Sequence, residues 1–390
     1  MLCTASGGRV AQTRRTGSDN EIVAITASAT RHAHVGPAEP GKLSRLLREN
    51  RCAGGPGVNG QTARSSSGAT RAPASRARRE RPSPSILVLK LGALGNMVLS
   101  LGAFAAIRRH HVNAAITLLT RAPYRDWMAT SPYFDSVLID ARPPPWNIPA
   151  VLRLRQMLSG GHFGRVYDLQ TSNRSSWYFR LFPASARPEW SGIAPGCSFP
   201  DRDRDRDHMH DVDRLKGQLR QAGITDFPPA DLSWSHGDVA RFALPRRIAL
   251  LVPGSSAHRP VKRWPASHYR ALAIDLEHRG LAPVVVGAER DLGAAIANCT
   301  GAIDLTGKTS FGDLADLGRV AEFAVGNDTG PMHLLAVAGC ASLVLFSRDS
   351  DPARCAPRGR DVRVLRRANL ADLTLSEVLA ALPVPAEAPI

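Results

Sequence analysis

Phe323-Ala324-Val325-Gly326-Asn327-Asp328-Thr329-Gly330-Pro331-Met332-His333 runs from an apolar stretch into a tight polar turn, and Leu334-Leu335-Ala336-Val337-Ala338 continues from it as far as Gly339. This order predicts a buried strand, a turn and the start of a helix. Amides in a helix's first turn lack intrahelical partners and carry the positive end of the dipole, and glycine lets an anion approach them closely. Asp328 and Thr329 can cap those amides or reach a sugar hydroxyl, and His333, one turn on, adds a donor on the same side. The turn therefore reads as an anion site. The same residues also suit a plain helix start, with Asp328 as cap and His333 on the surface.

The segments upstream favour the anion site. Arg247 to Val252 reads as a buried strand and runs into Pro253-Gly254-Ser255-Ser256. Lys262-Arg263-Trp264-Pro265 follows, then a predicted helix from about Ser267 to His278. Hydroxyls and a cationic pair beyond the carboxyl end of a strand suit a diphosphate. A further strand from Ala282 to Gly287 ends at Ala288-Glu289, whose carboxylate can accept hydrogen bonds from a ribose or a base. Three strand ends thus send polar groups toward one crevice.

Pro253-Gly254-Ser255-Ser256, Lys262-Arg263-Trp264-Pro265, Gly287-Ala288-Glu289, Leu305-Thr306-Gly307-Lys308 and Asn327 to His333 resemble, in order, the signature of glycosyltransferase family 9, the ADP-heptose:lipopolysaccharide heptosyltransferases. Ile86 to Leu91 with Gly92-Ala93-Leu94-Gly95 resembles that family's first strand and loop, so the likeness spans roughly Ser85 to Arg366. It implies an α/β fold of GT-B architecture, two doubly wound Rossmann-like domains facing across a cleft. It also implies an inverting transferase that moves a sugar, heptose from ADP-heptose, onto lipopolysaccharide core or a related glycan. Ser255, Ser256, Lys262, Glu289, Asp328, Thr329, Gly330 and His333 would bind the donor, and Lys262 would stabilise the departing diphosphate. Gly95, Asn96 and Asp168 would face the acceptor. In the family, the residue after the glycine loop is an Asp proposed as base; Asn96 stands there. An amide positions a hydroxyl but has no useful basicity near neutral pH. Either another carboxylate such as Asp168 serves, or transfer is weak, or the chain binds sugar nucleotides without turnover. No Asp-x-Asp pattern lies in a likely donor loop, so neither a metal nor a cofactor is expected.

Around this signature the chain divides by composition. Residues 1–84 hold 14 Lys and Arg against 5 Asp and Glu, a net +9 of the chain's +16. Rich in Gly, Ser, Ala and Thr and without sustained periodicity, this stretch is predicted to be a disordered basic extension. Its charge suits weak attraction to anionic surfaces rather than a specific nucleic acid partner. Strands and helices alternate over residues 85–225, the acceptor-side domain, and again over 246–390, the donor-nucleotide domain with a terminal helix near Leu375 to Leu382. The Pro-containing stretch 226–245 is the expected linker. Predicted strands are Ile86–Leu91, Ala115–Leu119, Ser136–Ile139, Arg165–Leu169 and Glu189–Ile193. Predicted helices are Met97–Arg109, Ile148–Leu158 and Val212–Ala222. Such alternation argues for parallel sheets covered on both faces.

Other function classes fall away. Gly301 to Thr309 has five residues between its glycines where a P-loop requires four. Gly92-Ala93-Leu94-Gly95 lacks the Gly-x-Gly-x-x-Gly spacing of a dinucleotide fingerprint. Asp201 to Asp207, alternating Asp and Arg, reads as a self-neutralising solvated loop, and His208 to Asp211 after it resembles the family's stretch leading into the next helix, a resemblance that allows a minor acceptor-side role. The six cysteines are widely spaced, which suits a reducing compartment. No run approaches the ~20 apolar residues of a membrane span. A cytoplasmic enzyme, peripheral on the inner membrane, is expected.

Overall fold

The computed structural model describes residues 22–25, 85–255 and 260–383. Strand β1 is Ile22–Ile25. The N-terminal lobe follows with β2 (Ser85–Leu89), α1 (Leu94–Val98), α2 (Leu101–His110), β3 (Ala115–Thr120), α3 (Arg125–Ala129) and β4 (Ser136–Ile139). It continues with α4 (Ile148–Gly160), β5 (Arg165–Asp168), α5 (Asn173–Tyr178), β6 (Glu189–Gly192), β7 (Phe199–Pro200) and α6 (Asp211–Gln221). The C-terminal lobe contains β8 (Ile248–Val252), α7 (Ala266–His278), β9 (Ala282–Val285), α8 (Arg290–Ala297), β10 (Ile303–Asp304) and α9 (Phe311–Val320). It closes with β11 (Phe323–Asn327), α10 (Gly330–Val337), β12 (Ser342–Phe346), α11 (Pro352–Cys355), β13 (Val362–Arg366) and α12 (Leu375–Ala381).

The first sheet has the order β4-β3-β2-β5-β6-β7, every pair parallel. The second runs β1-β13-β12-β11-β8-β9-β10, parallel except where β1 pairs antiparallel with β13. Strands covered by helices on both faces are apolar at every position rather than at alternate ones. Ile248–Val252 and Phe323–Asn327 are accordingly buried throughout. Apart from β1 at the outer edge of the second, in each sheet the chain starts in the middle, winds outward, then returns to the middle and winds the other way. The reversal lies between β2 and β5 in the first sheet and between β8 and β11 in the second. Polar loops gather beyond the strand ends at such a switch point, which leaves a crevice there.

Two sequence expectations change. Residues 1–84 were expected to lack regular structure, yet Ile22–Ile25 forms a strand, because the outer edge of β13 leaves unpaired amides and carbonyls that a β-branched run can satisfy. The rest of that stretch lies outside the described residues. The single helix expected from Met97 to Arg109 is two. The Ser100 hydroxyl donates to the Asn96 carbonyl (2.7 Å) and competes for the helical bond, so the chain breaks at Leu99 and Ser100 and the first helix starts earlier, at Leu94.

The segment 226–245 is irregular apart from a short 3₁₀ turn, and it is pinned on both sides. Trp127 Nε1 donates to Ser235 Oγ at 2.9 Å, and the Gly237 amide donates to Asp316 of α9 at 2.8 Å. Trp127 also packs its ring on Phe311, centroids 4.9 Å apart, so aromatic burial joins α3 to α9 directly. No helix among the described residues is long and apolar enough to cross a membrane.

Candidate active site

The two switch points meet. Helix α1, after β2, packs against α10, after β11. The approach needs glycine on both sides: a Cβ on Gly330 would stand 2.6 Å from Leu94 Cβ, and one on Gly95 would stand 2.9 Å from His333 Cδ2. Beside this contact opens a cleft of about 370 Å³ lined by Ala93, Leu94, Val252, Gly254, Ser255, Lys262, Gly287, Ala288, Glu289 and residues 328–331.

Asn327 sets the floor. Its Oδ1 accepts from the Trp264 amide (3.0 Å) and the Tyr269 hydroxyl (3.2 Å), and its Nδ2 donates to the Pro253 carbonyl (2.7 Å). One buried amide thus ties the ends of β8 and β11 to the approach to α7. Over it, Lys262 Nζ donates to Asp328 Oδ2 at 2.8 Å, and the Ser350 hydroxyl donates to the same oxygen at 2.6 Å. Arg263 holds Ser255, donating from Nε to its hydroxyl and from its outer nitrogen to its carbonyl, both at 3.2 Å, and lies 3.8 Å from Glu289. Gly254 leaves room for that carboxylate, since a Cβ there would stand 2.3 Å from Glu289 Oε2. The Leu305 to Lys308 turn supports the loop from behind, the Gly307 amide donating to the Gly287 carbonyl at 2.7 Å.

His333 is not on the surface; it is only 5% exposed. Burial pushes its pKa down to about 4, against the pull of Asp328 and Asp211, so at neutral pH the ring is uncharged. Its Nε2 lies 4.0 Å from Asp328 Oδ1. A neutral imidazole offers one N–H and one acceptor, so His333 brings a hydrogen bond to the cleft and not a second cation.

Most of the residues singled out in the sequence come together. Ser255, Lys262, Glu289, Asp328, Thr329 and Gly330 line the cleft, with Gly95 and His333 touching at its base. Asn96 is exposed in the first turn of α1. Ser256 lies outside the described residues. Asp168 does not line the cleft. It is fully buried at the end of β5, where Oδ1 accepts from the amides of Gln170 (3.1 Å) and Thr171 (3.0 Å) while Oδ2 has no hydrogen-bond partner. Burial raises its pKa to about 6.

Ser350 and Lys90 were not picked out in the sequence, and Asp211 was named there only within a stretch of minor acceptor-side role. Ser350 reaches Asp328 from a loop beyond β12, a distance no local pattern reports. Lys90, at the end of β2, is buried and donates to the Leu169 carbonyl at 3.0 Å; loss of hydration lowers its pKa to about 8. Asp211, half-buried at the start of α6, pairs with Arg214 at 2.8 Å, and its charge acts on both Lys90 and His333. The signal for Asp211 lay in the His210-Asp211 helix start. His210 Nδ1 caps that start by accepting from the Val212 amide (3.2 Å), so Nε2 carries the proton donated to the Ala356 carbonyl (3.0 Å) across the lobes.

Residues 151–378 match the family model of glycosyltransferase family 9 (heptosyltransferase). The lipooligosaccharide heptosyltransferase 2 of Haemophilus ducreyi (strain 35000HP / ATCC 700724) is 24% identical over 313 residues, which cover 72% of this chain and 88% of that protein. The crystal structure of the family 9 glycosyl transferase from Veillonella parvula DSM 2008 is similar with a TM-score of 0.66 at 22% identity, covering 76% of this chain and 95% of that one. The structure of E. coli ADP-heptose LPS heptosyltransferase II gives 0.63 at 22% identity, covering 76% and 97%. Both likenesses are of fold, the two-lobed GT-B arrangement. The family match spans more than half of the chain and every cleft residue of the C-terminal lobe described above, and so this protein belongs to glycosyltransferase family 9 and is a glycosyltransferase.

Proposed function

We propose that the protein transfers heptose from ADP-heptose to lipopolysaccharide core or a related glycan, with inversion and without a metal ion, at the cytoplasmic face of the inner membrane. The meeting of the two switch points carries this reading, because it sets the Lys262–Asp328 pair and the start of α10 on one side of a cleft and the glycine loop of α1 on the other. A departing diphosphate needs charge stabilisation. Lys262, the Ser255 hydroxyl, the first amides of α10 and the N–H of His333 supply it. Glu289 takes the hydroxyls of the nucleoside.

Transfer also needs an acceptor for the proton of the attacking hydroxyl. Asn96 orients that hydroxyl and cannot take the proton. Asp168 is sealed from the cleft, and Asp328 is engaged by Lys262 and Ser350. We assign the role to Asp211, which keeps a partly exposed carboxylate beside its Arg214 partner (2.8 Å) and whose charge reaches both Lys90 and His333. The test is transfer from ADP-heptose to a lipopolysaccharide core acceptor by the purified protein, with the anomeric product resolved by NMR. Retention of anomeric configuration, or full activity only with an added divalent ion, would contradict the reading.

A further inference from the structure

Of the large hydrophobic side chains left exposed among the described residues, half fall within seven positions: Trp146 is 81% exposed, Ile148 58% and Leu152 54%. The others, Val112, Ile274 and Val320, are scattered singly. Ile148 and Leu152 are four apart, so they stand one above the other on the free face of α4. The opposite face is committed to the core, with Leu154 and Leu158 buried. Arg153 and Arg155 are exposed on either flank of the apolar stripe and Arg142 precedes it, while no acidic residue occurs from Ala141 to Tyr167.

The patch is held rigidly. Pro143-Pro144-Pro145 leads to Trp146, and the Pro143 carbonyl accepts from Arg174 at 2.9 Å. Asn147 caps α4, its Oδ1 accepting from the Ala150 amide at 3.2 Å. A preset chain loses little freedom on docking. Because α4 begins just after β4, Trp146 lies at the carboxyl edge of the first sheet, the edge that also carries the glycine loop of α1.

We infer that Trp146, Ile148 and Leu152 with Arg142, Arg153 and Arg155 form a docking surface for an anionic phospholipid bilayer, which places the acceptor side of the cleft against the membrane. A tryptophan and short aliphatic side chains flanked by arginines are the composition of an interfacial anchor: the apolar groups enter the headgroup boundary and the guanidinium groups meet lipid phosphate. The apolar stripe with a tryptophan at its edge favours a bilayer, whose headgroup boundary takes both the rings and the guanidinium groups, over a purely polar acidic partner. The inference rests on the proposed reading of a lipid-borne acceptor and adds the face that meets it.

The test is co-sedimentation of the full chain with phosphatidylglycerol/phosphatidylethanolamine vesicles and with phosphatidylcholine vesicles, at low and high salt. Wild type binds the anionic vesicles at low salt. W146S/L152S loses about tenfold or more in affinity, and R153Q/R155Q loses about fivefold per arginine at low salt and little at high salt. Both variants transfer sugar to a lipid-free core fragment at the wild-type rate, which keeps this result separate from the transferase reading. Wild-type vesicle affinity in both variants overturns the inference. So does a wild-type dimer that W146S/L152S converts to monomer with vesicle binding unaltered, since the face would then belong to a second copy of the chain.

Discussion

Lys262 Nζ lies 2.8 Å from Asp328 Oδ2, with side-chain exposures of 13% and 9%, and Ser350 donates to that same oxygen. Lys262 is therefore held against a carboxylate that has a second donor to fall back on. On the proposed donor role, a diphosphate would draw Lys262 while Asp328 kept the Ser350 hydroxyl, so neither charge would be abandoned in a poorly hydrated site.

Replacing Lys262 with Ala should weaken ADP binding by about 1.5–3 kcal/mol, tenfold or more, as expected for a hydrogen bond to a charged group. Titration calorimetry measures it, and circular dichroism checks that the fold persists. An unchanged affinity would remove Lys262 from the donor site.

His333 should make the protein acid-labile. Its folded pKa of about 4 lies below its value of 6.5 in the unfolded chain, so the unfolded state takes up a proton first as pH falls. The stability present above pH 6.5 is thus lost progressively down to about pH 4. The shift corresponds to about 3 kcal/mol at most. His333→Gln should lose less stability than wild type between pH 7 and 4.5 in urea titrations, while binding ADP more weakly. Parallel curves would show that the ring titrates normally.

Asp168 has the opposite sign. Its folded pKa, raised by burial to about 6 from 3.8, means the folded state holds its proton more tightly. The cost of ionising it is present in full above about pH 6 and is relieved as pH falls toward 3.8. Asp168→Asn keeps an acceptor for the Gln170 and Thr171 amides and removes the charge. Its stability relative to wild type should be greatest near pH 7.5 and decline by pH 4, with transfer nearly unchanged. A large loss of transfer at unchanged stability would make Asp168, and not Asp211, the proton acceptor.

Asp211 and Asn96 can be tested against each other. Asp211→Asn should lower kcat by about 10²-fold or more, the usual contribution of a positioned base, with KM for the donor little altered. Asn96→Asp should restore activity to that variant, because the first turn of α1 favours a carboxylate and the two side chains are nearly isosteric. Failure of Asn96→Asp to recover any transfer would separate position 96 from the reacting hydroxyl.

Much of the architecture is local and was legible. The runs Ile248–Val252 and Phe323–Asn327 lie close to their expected bounds because a strand covered on both faces is apolar along nearly its whole length, and Ser136–Ile139 coincides with its expected span. The turn from Asn327 to Gly330 was legible as a strand end and helix start because strand, small polar residues and glycine are adjacent in the chain, and the anion site read into it is a proposal. Boundaries governed by a single hydroxyl, such as the break after Val98, were not legible, since Ser100 also suits a helix interior until its bond to Asn96 is known.

What the sequence by itself determined, then, is that two parallel sheets form and that β8, β9 and β11 end in polar, glycine-bearing loops. Which residues face one another was decided only in three dimensions. Asp168 looked as available as Asp328, yet one is sealed and the other lines the cleft, because burial depends on every element packed around a strand end. Gly95 meets His333, and Ser350 meets Asp328, across separations that no periodicity spans. Local propensity acts over a few residues, whereas the positions of strand ends at a switch point are set by the order in which the whole sheet is wound.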